Sequence, residues 1–208
     1  MFGKKTNLIT KNKALPGRVD AIKINDKHFV NGNYLFGNIP ENLEKCVVGM
    51  GCFWGAERLF WNLRGVFSTS VGYCGGYTKN PTYEEVCSGK TGHVEVVQII
   101  FDPLVITYDS LIKIFFENHD PTEYMRQGND VGTQYRSAIF TFSKMQESIA
   151  NNIKIDFEEK LIKNGFSNIK TEITMIDEYY FAEEYHQQYL AKNINGYCGL
   201  KGTGFYCT

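Results

Sequence analysis

The chain of 208 residues lacks several features that would assign it to a functional class at once. It has no excess of charge of either sign, because 22 basic residues are matched by 23 acidic ones. This balance disfavours a polyanionic partner such as nucleic acid, and also an anionic membrane surface. No apolar run approaches the roughly 20 residues of a membrane-spanning helix, and residues 1–7 carry charge without the apolar stretch of a secretory signal. We therefore expect a protein of the cytoplasm.

Cysteine pairs with metal-binding or redox spacing are missing as well. No Cys-x-x-Cys occurs, which disfavours zinc-ribbon and thioredoxin-type sites. A disulfide framework is not expected, because the chain is long and rich in ordinary core residues. The histidines match no ligand spacing either, so packing and hydrogen bonding are the interpretation for His93, His119 and His186. We expect neither a metal nor an organic cofactor.

The order of apolar and turn-forming segments predicts an α+β fold: a mixed β-sheet with packed helices, in two layers around a ferredoxin-like core. Residues 1–44 are predicted to form an N-terminal arm packed on the body, 45–194 the catalytic domain, and 195–208 a flexible glycine-rich tail that carries two cysteines. Together they make a single domain, with a monomer as the default state. Strands are predicted at 45–50, 66–74, 93–101, 136–142 and 171–176, and helices at 53–64, 83–87, 108–118, 143–163 and 182–193.

Cys52 stands where a predicted strand ends and a helix begins. It lies in the stretch Gly51-Cys52-Phe53-Trp54-Gly55-Ala56-Glu57. Unpaired backbone N–H groups and the positive end of the helix dipole should face its sulfur. This position predicts a thiolate, and hence a nucleophile.

Several further motifs follow in order, and together they resemble the peptide methionine sulfoxide reductase A family. They are Gly75-Gly76-Tyr77, Pro81 to Gly89, Gly92-His93-Val94-Glu95, Asn118-His119-Asp120-Pro121, Arg126 to Asp130, Gly132 to Ser137 and the Gly-Tyr-Cys198-Gly tail. The match begins near Cys46 and continues to the C-terminus, and Leu15-Pro16-Gly17-Arg18 resembles the arm of longer bacterial members. The resemblance implies reduction of methionine S-sulfoxide, free or in proteins, as repair after oxidative damage.

Sulfoxide reduction requires a nucleophile, an acid and an apolar pocket, and the chain offers each. Cys52 is the nucleophile. Glu95, inside an apolar strand, should have a raised pKa and act as the general acid. The remaining roles are hydrogen-bond donation to the sulfoxide oxygen by Tyr83 and Tyr135, and contact with the methyl-thioether group by Phe53 and Trp54. The resemblance implies the same roles, and adds Asp130 as a residue that lines the substrate site.

The two C-terminal cysteines predict how the enzyme is recycled. Attack on the sulfoxide leaves Cys52 as a sulfenic acid, which a nearby thiol converts to a disulfide. Cys198 is the predicted resolving cysteine, and Cys207 then takes over the bond and presents a Cys198–Cys207 disulfide to an external dithiol. The resemblance implies thioredoxin as that reductant.

Other interpretations stay open at this stage. Cys46, Cys74 and Cys87 are assigned structural roles, and Glu95 could instead be a surface acid. A thiol peroxidase or redox sensor would also need a reactive cysteine and a resolving thiol, and a metal- or partner-binding module could use Cys198 and Cys207.

Overall fold

The computed structural model describes residues 6–207. The strands are β1 Glu44–Gly49, β2 Val66–Cys74, β3 Val94–Phe101, β4 Arg126–Gln127, β5 Asp130–Val131, β6 Ala138–Thr141, β7 Glu172–Met175 and β8 Tyr179–Phe181. The helices are α1 Phe53–Trp61, α2 Tyr83–Cys87, α3 Tyr108–Glu117, α4 Lys144–Lys163 and α5 Tyr189–Lys192. Short 3-10 turns lie at Lys11–Lys13 and Thr133–Tyr135. Within these residues, none of the helices combines the length and apolar character that crossing a bilayer requires.

Six strands form one sheet in the order β7-β6-β1-β3-β2-β8. The β6–β7 pair is parallel and the other neighbours are antiparallel. The predicted α+β class, with a mixed sheet and packed helices, is confirmed.

Strand β3 lies at the centre of the sheet and is buried along its whole length. Its side chains alternate between two cores, as the period of two requires. Val97, Ile99 and Phe101 belong to the larger core, which also contains side chains of α1, α3 and α4. Val94 and Val96 belong to a smaller core on the opposite face. Glu95 therefore shares a face with Val97 and lies on the side of α1.

The start of α4 is held by Ser143 and by a side-chain contact to β1. The pattern Ser143-x-x-Gln146 is typical of a capping box, but only half of one forms: Ser143 accepts a hydrogen bond from the Gln146 N–H. The Gln146 side chain instead accepts from the Phe142 N–H and donates to the Lys45 carbonyl, which ties α4 to β1. A complete capping box occurs at α2, between Thr82 and Glu85.

The predicted helix over 182–193 was wrong for most of its length. Only Tyr189–Lys192 are helical, and Gln188 just before them has a left-handed backbone with φ 49°. The strand β8 in front of this segment was missed. It is three residues long and pairs along the edge of the sheet with β2, so its local pattern is too short to distinguish from a turn.

Candidate active site

The turn between β1 and α1 presents Cys52 at the N-cap of the helix. Gly51 has φ 92°, and a Cβ on it would lie 2.7 Å from the Gln127 Cβ. Only glycine accommodates both the left-handed backbone and this close approach. The turn therefore holds Cys52 at the start of α1, half-buried, next to the segment that contains Gln127.

The expected thiolate at Cys52 is wrong for the resting site. The backbone N–H groups of Trp54 and Gly55 do approach its sulfur and favour the charged form, as predicted from the helix start. Burial has the larger effect, and it raises the pKa of Cys52 well above the ordinary value, with a further rise from the charge of Glu95. Cys52 is therefore a protonated thiol in the resting site.

Glu95 is a buried carboxyl, with 1% of its surface exposed, so it is not a surface acid. Its Oε2 accepts a hydrogen bond from the Phe53 N–H at 3.2 Å. Its Oε1 is buried and has no hydrogen-bond partner among the described residues. Burial raises the pKa of Glu95 to about 8. The carboxyl is therefore protonated near neutral pH, with one oxygen available to an incoming group.

Tyr83 and Tyr135 lie near Glu95. Tyr83 opens α2, where its backbone N–H donates to Glu183 Oε1 at 2.8 Å, and Tyr135 ends the turn at Thr133–Tyr135. Burial, followed by the charge of Glu95, raises the pKa of both hydroxyls, so both remain protonated donors. The Tyr83 hydroxyl is also hydrogen-bonded to the Cys87 side chain, a contact that the structural interpretation of Cys87 did not anticipate.

Phe53 and Trp54 occupy different environments. Phe53 is 1% exposed and packs against the rings of Tyr73, Tyr83 and His186, with centroids 6.0, 6.5 and 5.1 Å away. Trp54 is half-buried, and its indole stacks on Tyr189 with ring centroids 3.8 Å apart. Phe53 is therefore buried next to Cys52, whereas Trp54 is partly open to solvent.

His186 joins these aromatic groups, and the sequence did not indicate this role. Its Nδ1 accepts a hydrogen bond from Trp54 Nε1 at 2.9 Å, and its ring lies 4.5 Å from that of Tyr83. Burial lowers the pKa of His186 to about 4, so the ring is neutral and carries its proton on Nε2. The prediction of packing and hydrogen bonding is confirmed for His186, as it is for His93 and His119.

Asp130 connects the site to the C-terminal tail. It is half-buried in β5 and accepts a hydrogen bond from the Tyr197 hydroxyl. Burial raises the pKa of Asp130, and this hydrogen bond opposes the rise. Because Tyr197 precedes Cys198, Asp130 fixes the tail where it passes the site.

The two tail cysteines contact different elements. Cys198 is exposed, and its sulfur lies so close to Gly55 of α1 that a Cβ on that glycine would be 2.9 Å away. Cys207 lines a cleft of about 200 Å³ between α3 and α4, where its N–H donates to Glu117 Oε1 at 2.8 Å. Lys160 of α4 donates to the Tyr206 carbonyl at 2.7 Å. The tail, predicted to be flexible, is thus packed on the body in this structure.

Comparison with known proteins gives a consistent result over the whole chain. Residues 44–204 match the family described as peptide methionine sulfoxide reductase. The peptide methionine sulfoxide reductase MsrA 1 of Synechocystis sp. is 56% identical over 207 residues, which cover 100% of this chain and 93% of that protein.

Solved structures agree with this match. Methionine sulfoxide reductase A of Corynebacterium diphtheriae is 44% identical with a TM-score of 0.87, and the alignment covers 92% of this chain and 93% of that one. Mxr1 from Saccharomyces cerevisiae in reduced form is 35% identical with a TM-score of 0.72, over 82% of this chain and 95% of that one. Mxr1 in complex with Trx2 aligns at 23% identity with a TM-score of 0.53, over 80% and 94% of the two chains, and shares the fold.

Proposed function

Because the chain belongs to the peptide methionine sulfoxide reductase family, we propose that it reduces the S-sulfoxide of methionine, free or within proteins, to methionine. The observation that carries the mechanism is the carboxyl of Glu95, which is buried, protonated near neutral pH and has one unpartnered oxygen. It lies beside Cys52, because it accepts a hydrogen bond from the N–H of the next residue, Phe53.

The first step forms a bond from the Cys52 sulfur to the sulfoxide sulfur. Oxygen is a poor leaving group unless it is protonated, so Glu95 delivers its proton to the sulfoxide oxygen as the bond forms. The thiol proton of Cys52 restores the Glu95 carboxyl. A second proton from Glu95 lets the oxygen leave the substrate sulfur as water. Water then attacks the Cys52 sulfur, returns a proton to Glu95 and breaks the bond between the two sulfurs. Methionine leaves and Cys52 becomes a sulfenic acid, so Cys52 is oxidised by two electrons and the sulfoxide is reduced by two.

Tyr83 and Tyr135 donate hydrogen bonds to the oxygen as it gains charge, and their raised pKa values keep both hydroxyls protonated. Phe53 and Trp54 hold the methyl-thioether group by apolar contact and by contact between sulfur and aromatic rings. Asp130, with Tyr197, orients the polar part of the substrate or a water molecule.

Recycling uses the tail. The Cys198 thiol attacks the Cys52 sulfenic acid, a disulfide forms and water leaves. Cys207 then attacks Cys198, which frees Cys52 and leaves a Cys198–Cys207 disulfide for thioredoxin to reduce. The position of Cys198 against Gly55 at the start of α1 supports the first exchange. The complex of yeast Mxr1 with Trx2 supports the reductant. We place the activity in the cytoplasm and treat the enzyme as a monomer.

The peroxidase or sensor alternative depends on a cysteine with a low pKa. Burial raises the pKa of Cys52 instead, and this favours a nucleophile that is activated only when a substrate and an acid are both in place.

A single-turnover assay tests the proposal. The pre-reduced protein and its Cys52→Ser variant are mixed with peptides that carry resolved S- or R-methionine sulfoxide, and product and free thiols are counted together. We expect conversion of the S form alone, loss of two thiols per methionine formed, and no product from Cys52→Ser. Thiol loss to peroxide without any sulfoxide turnover would instead identify a peroxidase or sensor.

A further inference from the structure

Trp54 forms the more exposed side of the proposed methyl pocket, called the Trp54 wall below. A short segment near the end of the chain holds its indole in place. Residues 184–192, the support segment, contain both side chains that fix the indole. His186 accepts the hydrogen bond from Trp54 Nε1, and Tyr189 stacks on the ring. Because most of this segment is not helical, its conformation has to be maintained by contacts with other parts of the chain.

The N-terminal arm supplies several of these contacts. The backbone N–H of Asn25 donates to Glu184 Oε2 at 2.9 Å, and that of Phe29 donates to Gln188 Oε1 at 3.0 Å. The ammonium group of Lys192 lies 5.5 Å from the centroid of the Phe29 ring and bonds back to Glu184. The arm thus contacts the support segment near its start, in its middle and at its end.

A buried chain of hydrogen bonds links the arm to α1. His28 Nδ1 accepts from the N–H groups of Val30 and Asn31, so its Nε2 carries the proton and donates to Thr69 Oγ1 at 3.0 Å. The Thr69 hydroxyl then donates to Glu57 Oε1 at 3.1 Å. His28 and Glu57 are both 1% exposed or less, so each bond is shielded from water.

This series of hydrogen bonds ends at Gln188, at the centre of the support segment. Gln188 donates its backbone N–H to Glu57 Oε2 at 2.8 Å and its side-chain amide to Glu57 Oε1 at 2.7 Å. The same residue has the left-handed backbone that precedes α5. Since His186 lies two residues before it and Tyr189 one residue after it, a change in the backbone at Gln188 displaces both groups that hold Trp54.

We propose that the N-terminal arm acts, through Gln188, as a positioning element for the Trp54 wall and thereby sets how tightly the pocket selects a methyl group. Gln188, Glu57 and His28 are positioning residues, because none of them touches the reacting atoms. The inference rests on the proposed function, since it assigns Trp54 to the methyl pocket.

Selectivity for methionine sulfoxide over ethionine sulfoxide reports how closely the Trp54 wall fits a methyl group, because the two substrates differ by one methylene. An apolar pocket commonly discriminates one methylene by roughly 10- to 200-fold. We expect His28→Phe and Gln188→Met to lower the methyl-over-ethyl ratio of kcat/KM by about three- to tenfold, mainly through KM for the methyl substrate. Because both variants interrupt one chain, the double variant should change the ratio by less than the product of the single changes.

Two further variants keep the test decisive. Glu184→Ala removes the exposed hydrogen bond from the Asn25 N–H and the ion pair with Lys192. It should lower the methyl-over-ethyl ratio less than the buried variants do, and it tests the proposal if a buried variant fails to fold. Asn33→Ala removes another anchor of the arm, the bond from Asn33 Nδ2 to the Phe67 carbonyl, which does not touch the support segment. It should leave the ratio unchanged. Folded His28→Phe, Gln188→Met and Glu184→Ala proteins with wild-type ratios would overturn the proposal.

A second readout separates this proposal from the proposed function. The chain has two tryptophans, so Trp61→Phe leaves Trp54 as the single indole fluorophore. In that background we expect Gln188→Met and Glu184→Ala, but not Asn33→Ala, to increase quenching of Trp54 by acrylamide. This result would stand even if the protein reduced no sulfoxide, whereas unchanged quenching together with normal turnover would refute only the positioning role.

Discussion

At the scale of single residues, Cys52 and Glu95 depend on each other. Burial raises the pKa of both, and the charge of Glu95 raises the pKa of Cys52 further. The resting pair therefore retains both protons at neutral pH, which suits a reaction that needs an acid as well as a nucleophile. We therefore expect the rate of Cys52 alkylation, which needs only the thiol, and the rate of sulfoxide reduction, which also needs the acid, to change differently with pH.

We predict that single-turnover sulfoxide reduction falls as the pH rises through about 8, because Glu95 loses the proton that the oxygen needs. Alkylation of Cys52 by iodoacetamide, which needs no acid, should rise over the same range. Glu95→Gln should lower the reduction rate by about 10²- to 10⁴-fold and remove its alkaline decline. It should also shift the onset of Cys52 alkylation to lower pH, because the nearby negative charge is gone. A full alkaline decline in Glu95→Gln would assign the acid to another group.

At the scale of elements, α1 begins directly after Cys52, the proposed nucleophile, and its Gly55 lies against Cys198, the proposed resolving cysteine. Gly55→Ala should leave the first turnover intact, but its Cβ would lie 2.9 Å from Cys198 Sγ and 3.3 Å from Leu200 Cβ. We expect the Cys52–Cys198 disulfide to form roughly tenfold more slowly, since small misplacements of reacting atoms carry penalties of this size.

Trapping with dimedone and mass spectrometry checks this expectation. Cys52 sulfenic acid should accumulate in Gly55→Ala, as it should to a greater extent in Cys198→Ser. Disulfide formation at the wild-type rate would mean that Cys198 attacks from a position away from Gly55.

Cys198 lies against Gly55 of α1 and Cys207 lies in the cleft between α3 and α4, so we expect the end of the tail to leave this cleft before Cys207 reacts with Cys198. Lys160→Met removes the hydrogen bond to the Tyr206 carbonyl. The Cys198–Cys207 disulfide should then form about threefold faster, because a charged hydrogen bond at the surface contributes roughly 0.5–1 kcal/mol. Lys163→Met is the matched control, because Lys163 lies on the same helix and its ammonium group pairs with exposed Glu159. Quantifying disulfides by mass spectrometry after one turnover compares the two, and equal rates would show that this bond does not restrain Cys207.

The elements that carry chemistry were predictable where the local pattern and the tertiary contacts agree. The apolar run before Cys52, the aromatic spacing after it and the alternation around Glu95 indicated β1, α1 and β3. The support segment was not predictable, because the conformation of Gln188 depends on Glu57, which is 131 positions earlier in the chain. The raised pKa of Cys52 was not predictable either, because its main cause is burial by the folded protein. The local sequence shows that a helix begins at Cys52, but it does not show how deeply the sulfur is buried.

At the scale of the whole molecule, the buried histidines and the buried carboxyls change the stability of the protein with pH in opposite directions. Burial lowers the pKa of three histidines from 6.5 to about 4: His28, His119 and His186. Burial raises the pKa of Glu57 to about 7 and that of Glu95 to about 8, from 4.5. Between pH 4.5 and 6.5 the unfolded chain binds more protons at the three histidines, and the folded chain binds more at the two carboxyls. The histidines outnumber the carboxyls, so stability should rise with pH over this range.

Above pH 6.5 the contribution of the histidines declines, because the unfolded chain also loses its imidazole protons, and the two carboxyls have the larger effect. The folded state still holds protons on Glu57 to about pH 7 and on Glu95 to about pH 8, whereas the unfolded state has released both. We therefore predict a stability maximum near pH 6.5. The free energy of unfolding should fall by roughly 1 kcal/mol by pH 8, because a carboxyl loss of roughly 2 kcal/mol is partly offset by a remaining histidine gain of roughly 1 kcal/mol. Urea denaturation at pH 5, 6.5 and 8 measures both the rise in stability below pH 6.5 and the fall above it. Glu95→Gln should remove most of the alkaline loss, because Glu95 titrates over most of that interval. If wild type and Glu95→Gln changed equally in stability from pH 6.5 to 8, Glu95 would already be ionised in the folded protein, and the acid that protonates the sulfoxide oxygen would have to be another residue.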